Sequence, residues 1–136
     1  MAISELLLIE DNPAEVFLFR EALRRLACAI HVTIAYDGKR GLELLRDASF
    51  RPDLVVLDLN LPVMDGHSVL AAAQLGGSPP TVVFSNSSDP RDRARAISLG
   101  AGDYVVKPRT LEEYAAAVRA IVEKWLDRED GAAAGG

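Results

Sequence analysis

An α/β domain, with a parallel sheet covered by helices on both faces, is the fold class this sequence predicts, and three observations carry the prediction. Short runs such as Leu6 to Ile9, Leu54 to Leu57 and Val82 to Phe84 are apolar at every consecutive position, the pattern of strands buried on both faces. Between the strand-like runs lie segments whose apolar residues recur at the 3.6-residue helical period. The two kinds of segment alternate along 136 residues, enough chain for one core and too little for two.

Leu6 to Ile9 is the first strand. Asn12 then supplies a capping side chain and Pro13 a first helical residue whose missing N–H costs nothing. Val16, Phe19, Leu23 and Leu26 form the buried stripe of that helix. His31 to Ala35 reads as a strand, Tyr36-Asp37-Gly38 as a turn, and Leu42 to Leu45 as the core of a second helix. The central strand, Asp53 to Leu57, leads through a turn-like stretch ending in Gly66 to a short helix over Ser68 to Gln74, which Gly76-Gly77-Ser78-Pro79-Pro80 breaks. After Val82 to Phe84, Asp89-Pro90 repeats the cap and first-turn proline, and Leu99-Gly100-Ala101-Gly102 closes that helix before the strand Tyr104-Val105-Val106. Thr110 and Glu113 make a capping box for a last helix that carries Leu111, Tyr114, Ala115, Val118, Ile121, Val122 and Trp125 on one face. The domain is expected to occupy residues 1–130, with Gly131 to Gly136 a disordered tail that has nothing to pack.

Composition narrows the partners. Fifteen Lys plus Arg against twenty Asp plus Glu give a net charge of -5, which opposes direct nucleic-acid binding or an anionic membrane surface as the main business of the chain. Arg91, Arg93 and Arg95 read as a solvated helix face. The lone Cys28 cannot close an internal disulfide, so a reducing, cytoplasmic compartment is expected. No apolar run approaches the roughly 20 residues of a membrane span, and no basic segment precedes the first apolar stretch.

Chemistry gathers where the strands end. The first delivers the acidic pair Glu10-Asp11, the central one Asp58, the fourth Ser85, and the last Lys107 followed by Pro108. Open α/β sheets place their sites at such C-terminal strand mouths. Three carboxylates, a hydroxyl and an ammonium on one rim are the inventory for a magnesium-assisted phosphoryl transfer to an aspartate. Three clustered carboxylates repel one another unless a cation is present, and a hard ion that keeps several waters suits them.

Glu10-Asp11, Asp58, Ser85, Tyr104 and Lys107-Pro108, in that order and each at a strand end, resemble the receiver domain of two-component response regulators, over about Ser4 to Arg128. The opening Leu8-Ile9-Glu10-Asp11-Asn12-Pro13-Ala14-Glu15-Val16 is most similar to stand-alone regulators paired with phytochrome-type histidine kinases. The resemblance implies a flavodoxin-like (βα)5 three-layer sandwich of strand order 2-1-3-4-5. It makes Asp58 the phosphoacceptor from a sensor histidine kinase. Mg2+ is implied as the cofactor, held by Asp11 and Asp58 through side chains, by Asn60 through its backbone carbonyl and by Glu10 through water. Lys107 and Ser85 become the phosphate-binding lysine and switch hydroxyl, and Tyr104 the switch aromatic that fills space vacated by Ser85. A cis Lys107-Pro108 bond is implied as well.

Each residue also has a plainer reading. Glu10-Asp11 alone fits a helix N-terminus, Asp58 a turn, Ser85 one of several loop polar residues, Tyr104 a half-buried strand aromatic and Lys107 a solvated lysine. His31 and His67 read as surface or strand-edge residues, neither having a partner at ligand spacing. Phe17 and Leu18 fall off the stripe of the first helix and fit either contact with the kinase's helical bundle or packing beneath a neighbouring loop. Tyr114, Val118 and Trp125 fit core or a homodimer surface through the last helix region. Two other function classes share parts of the pattern. A haloacid-dehalogenase-like phosphatase also uses a strand-end aspartate with magnesium, but it wants a second aspartate where this chain has Asn60. A phosphorylation-independent scaffold of the same fold has no use for the complete acidic, hydroxyl and lysine set.

Overall fold

Strands β1 (Ser4–Ile9), β2 (Ile30–Ala35), β3 (Leu54–Leu57), β4 (Thr81–Ser85) and β5 (Asp103–Val106) pair in parallel in the order β2-β1-β3-β4-β5. This is the flavodoxin-like order implied by the resemblance. Helices α1 (Pro13–Arg24), α2 (Gly38–Arg46), α3 (Gly66–Ala73), α4 (Pro90–Ser98) and α5 (Leu111–Val122) alternate with the strands, and a π-helical turn, Glu123–Asp127, follows α5. The structure is a computed structural model that describes residues 3–26, 29–76 and 78–127. Cys28, the domain end expected at residue 130 and the tail from Gly131 to Gly136 lie outside the described residues.

Why the apolar runs lack alternation is plain from the packing. Along β3, Leu54 and Val56 face one core with Val16 and Phe19 of α1 and Val118 and Val122 of α5. Val55 and Leu57 face a second core with Val69 and Leu70 of α3 and Ala96 of α4. Every β3 side chain is buried, so each of these residues is apolar, at about 1.5–3 kcal/mol gained per large side chain removed from water. Tyr114 and Val118 belong to the core, and Trp125 packs half-buried against it.

The helix ends differ from the sequence expectation by a turn or less. Asn12 caps α1 by accepting from the Ala14 N–H, and α1 stops at Arg24, so Leu26 reaches the core from the following loop. Asp37, read as part of a turn, accepts from the Arg40 N–H and begins α2 one residue later. Asp65 accepts from the Ser68 N–H at 2.8 Å and starts α3 at Gly66, ahead of the expected Ser68. Asp65→Ala is expected to cost about 1 kcal/mol of stability, as loss of an N-cap does, measured as a lower urea midpoint with an unchanged slope. Thr110 caps α5 as expected, its Oγ1 accepting from the Glu113 N–H, while Glu113 Oε1 accepts from the Thr110 hydroxyl instead of closing the capping box on the Thr110 N–H.

Candidate functional site

Strand register assembles the site. Ile9 lies opposite Leu57 in the β1–β3 pair, and the Asp58 N–H donates to the Ile9 carbonyl at 3.0 Å. The residues just past these two strand ends, Glu10-Asp11 and Asp58, therefore become neighbours. Each offers a carboxylate oxygen, and the three oxygens lie within 4.8 Å of one another. On the other side of β3, Ser85 lies opposite Val106 in the β4–β5 pair, and the Lys107 N–H donates to the Ser85 carbonyl at 2.7 Å. That bond fixes the backbone from which the Lys107 ammonium reaches back over the sheet edge.

Lys107 Nζ donates to Glu10 Oε1 at 2.7 Å and stands 3.6 Å from Asp58 Oδ2, with its side chain 3% exposed. Glu15, a residue that the sequence reading passed over, brings Oε1 to 2.9 Å of the same nitrogen, outside hydrogen-bond angle. Its position was legible in principle, in the first turn of a helix that begins just after the acidic pair. The Phe84 ring lies 5.9 Å from Nζ on the core side. Among the described residues, three carboxylates, those of Glu10, Glu15 and Asp58, thus share one ammonium, and Asp11 adds a fourth acid to the cluster.

The electrostatics follow from that ratio. Burial pushes the Glu10 carboxyl up to about 7, against the opposing pull of Lys107. Burial likewise raises Asp58, again with Lys107 opposing it. Burial disfavours the Lys107 ammonium, but the Glu10, Asp58 and Glu15 carboxylates outweigh it and raise its pKa. The site is short of positive charge, and an oxygen-only donor set with this excess of anion fits a hard divalent cation such as Mg2+.

The β3–α3 loop holds Asp58 in place. The Gly66 N–H donates to the Leu59 carbonyl at 2.9 Å, and a Cβ on Gly66 would sit 2.5 Å from the Asp58 carbonyl oxygen, so glycine alone lets α3 close onto the loop. Val63 is exposed with φ at 70°, a left-handed conformation that a β-branched residue adopts at a cost. The Asn60 N–H lies 3.5 Å from Asp58 Oδ1. Ser85 is wholly buried, and its Oγ accepts from the Ser87 N–H at 3.2 Å. Tyr104 is buried as well, its hydroxyl donating to the Ser87 carbonyl at 2.7 Å.

Three expectations are corrected. The Lys107-Pro108 bond is trans; among the described residues the cis peptide is Ser78-Pro79, and the Lys107 side chain reaches Glu10 without a cis bond. His67 is buried in the first turn of α3, where Nε2 lies 3.3 Å from Asp92 Oδ1 of α4, because capping by Asp65 turns that helix inward earlier than expected. Phe17 and Leu18 part company: Phe17 is 62% exposed, whereas Leu18 packs against the α1–α5 core. His31 is exposed, as expected, with Nδ1 2.8 Å from Glu5 Oε1.

The response regulator receiver domain model matches residues 6–119, and the chain belongs to that family. The phosphorylated cyanobacterial phytochrome response regulator RcpA is 34% identical with a TM-score of 0.85, over 92% of this chain and 95% of RcpA. The Mn(2+)-bound response regulator Rcp1 is 30% identical with a TM-score of 0.80, over 90% of this chain and 94% of Rcp1. The transcriptional regulatory protein PrrA of Mycobacterium tuberculosis is 39% identical over 119 residues, 86% of this chain but 49% of PrrA. The chain thus spans about half the length of that relative. No helix among the described residues is long and apolar enough to cross a membrane.

Proposed function

We propose that this chain acts as a response regulator receiver domain over residues 1–130, which accepts a phosphoryl group on Asp58 from a sensor histidine kinase and changes its surface for a partner. The observation that carries the reading is the meeting of Glu10, Asp11 and Asp58 with Lys107 at the C-terminal edge of the sheet. A carboxylate oxygen of Asp58 forms the new P–O bond while the P–N bond of the donor phosphohistidine breaks, and the electron pair stays on the imidazole. Glu10, Asp11 and Asp58, with the Asn60 carbonyl, would hold Mg2+, which when bound supplies charge neutralisation to the transferring oxygens. Lys107 then holds phosphoryl oxygens by its ammonium, and Ser85 by its hydroxyl. Tyr104 and Ser85 are the switch pair, biasing two packings of the α4–β5–α5 surface.

The test is incubation with acetyl phosphate and Mg2+ followed by intact mass. A base-labile phosphoryl adduct that disappears when EDTA replaces Mg2+ supports the reading. Turnover of phosphate esters without a lasting adduct would instead indicate a phosphatase, and no adduct a scaffold.

A phytochrome-type kinase is the partner that the likeness to RcpA favours. Its docking face is the groove of about 410 Å3 between α1 and α5, lined by Phe17, Leu18 and Leu111, where Phe17 and Leu111 are 62% and 68% exposed. Phe17→Ser with Leu111→Ser is expected to slow phosphotransfer from the kinase about tenfold or more, as loss of exposed interface anchors does, with uptake from acetyl phosphate unchanged. Equal loss in both assays would refute this face. A homodimer through the last helix region belongs to the same reading, with Ile97 of α4 and Val106 of β5 exposed and Tyr114 and Val118 committed to the core.

A further inference from the structure

His67 is not explained by the reading above, and it is buried with a polar atom to spare. Its Nε2 lies 3.3 Å from Asp92 Oδ1, while its Nδ1 has no hydrogen-bond partner among the described residues. The other Asp92 oxygen, Oδ2, accepts from the Ser87 hydroxyl at 2.5 Å. A carboxylate only accepts, which fixes the protons in this chain: Nε2 of His67 carries one toward Asp92, and so does Ser87 Oγ. The Ser87 oxygen then faces the Asp89 N–H, 3.3 Å away.

Ser87 is the hub. Its N–H donates to Ser85 Oγ and its carbonyl accepts from the Tyr104 hydroxyl, so every polar group of Ser87 is engaged and its backbone cannot turn without breaking several bonds. Asp92 shares its short helix with Arg93, whose Nη1 donates to the Tyr104 carbonyl at 3.0 Å. Because Ser85 Oγ receives the Ser87 N–H, its own proton is free to donate elsewhere.

We propose that His67 is a positioning residue: through Asp92 and Ser87 it ties α3 to the loop after β4 and sets the orientation of the Ser85 hydroxyl and the Tyr104 ring. The proposal deepens the phosphoacceptor reading and rests on it for its kinetic consequence. It makes α3, which contributes no group to the acidic cluster, a determinant of how fast the site takes up a phosphoryl group. The carboxylate of Asp92 is partly exposed, its side chain at 39%, so the tie restrains the loop without locking it.

The test compares the full chain with His67→Phe, which keeps a ring and removes the donor, and His67→Gln, which restores an N–H donor. Asp92→Asn approaches the same link from the other side, since an amide cannot accept from both neighbours. In the unphosphorylated protein, His67→Phe and Asp92→Asn are expected to shift the NMR amide resonances of Ser87 and Tyr104. Uptake from acetyl phosphate should slow on the order of tenfold, the scale of one hydrogen bond to a charged group. His67→Gln should restore both. Parental resonances in folded His67→Phe, or a Gln variant as stable as the parent that restores neither readout, would overturn the proposal. If His67→Phe does not fold, Asp92→Asn decides alone. A parent that takes up no phosphoryl group defeats the phosphoacceptor reading, while the resonances still decide the positioning role.

Discussion

Asp58→Asn is expected to lose the acetyl-phosphate adduct entirely and, at the same time, to raise the melting temperature of the metal-free protein. The first effect follows from removing the nucleophilic oxygen's charge. The second follows from burial. Asp58 is 6% exposed, and burial raises its pKa in spite of Lys107. A carboxyl whose folded pKa lies above its unfolded value stabilises the fold in the protonated form, and that contribution is lost as pH rises through the folded pKa. At neutral pH the buried Asp58 carboxyl therefore opposes folding, and a neutral amide of the same shape relieves it by a few degrees, on the order of what small changes in stability produce in a domain of this size. Lys107 keeps Glu10 and Glu15 as partners in the variant. The difference should close below about pH 4, where the carboxyl is protonated folded and unfolded alike. Scanning calorimetry at pH 7.5 and 3.5 in EDTA checks this; a variant less stable than the parent at neutral pH would contradict the charge argument.

Lys107→Met acts in the opposite direction and with the largest cost. The ammonium is enclosed, and the carboxylates of Glu10, Glu15 and Asp58 surround it at 2.7, 2.9 and 3.6 Å. Methionine fills the volume but leaves these acids facing one another without a counter-charge. Breaking a buried pair by removing one partner typically costs about 3–5 kcal/mol. Urea unfolding in EDTA should show a loss of that order. Millimolar Mg2+ should recover part of it, since a cation that binds only the folded state stabilises by mass action. The phosphoryl adduct should not recover, because a cation does not supply the hydrogen bonds that the ammonium would donate to the phosphoryl oxygens. A variant with parental stability in EDTA would mean that the ammonium contributes little to holding the rim.

How much of this was legible in the chain depends on the range of the interaction concerned. Apolar runs, Asn12-Pro13, Asp89-Pro90 and the Thr110 and Glu113 box are local signals, and they place strands and helix starts to within a turn. The candidate rim could be read too, because each residue ends a strand or lies within two residues of its end. Reading failed where a helix began early: capping by Asp65 carried His67 into the interior, and the side chains of Phe17 and Leu18, adjacent in sequence, went to different surroundings because helical residues one apart point about 100° apart.

The sequence by itself determined which segments are buried on both faces and which acids, hydroxyl and amine stand at strand ends, since burial pattern and capping are properties of a few consecutive residues. Only the tertiary structure decided that Ile9 pairs with Leu57 and Ser85 with Val106, that Glu15 joins Lys107, and that His67 meets Asp92. Those contacts join residues from 21 positions apart, Ser85 and Val106, to 92 positions apart, Glu15 and Lys107, and their existence is set by strand register and helix packing, in which every part of the core competes for the same space.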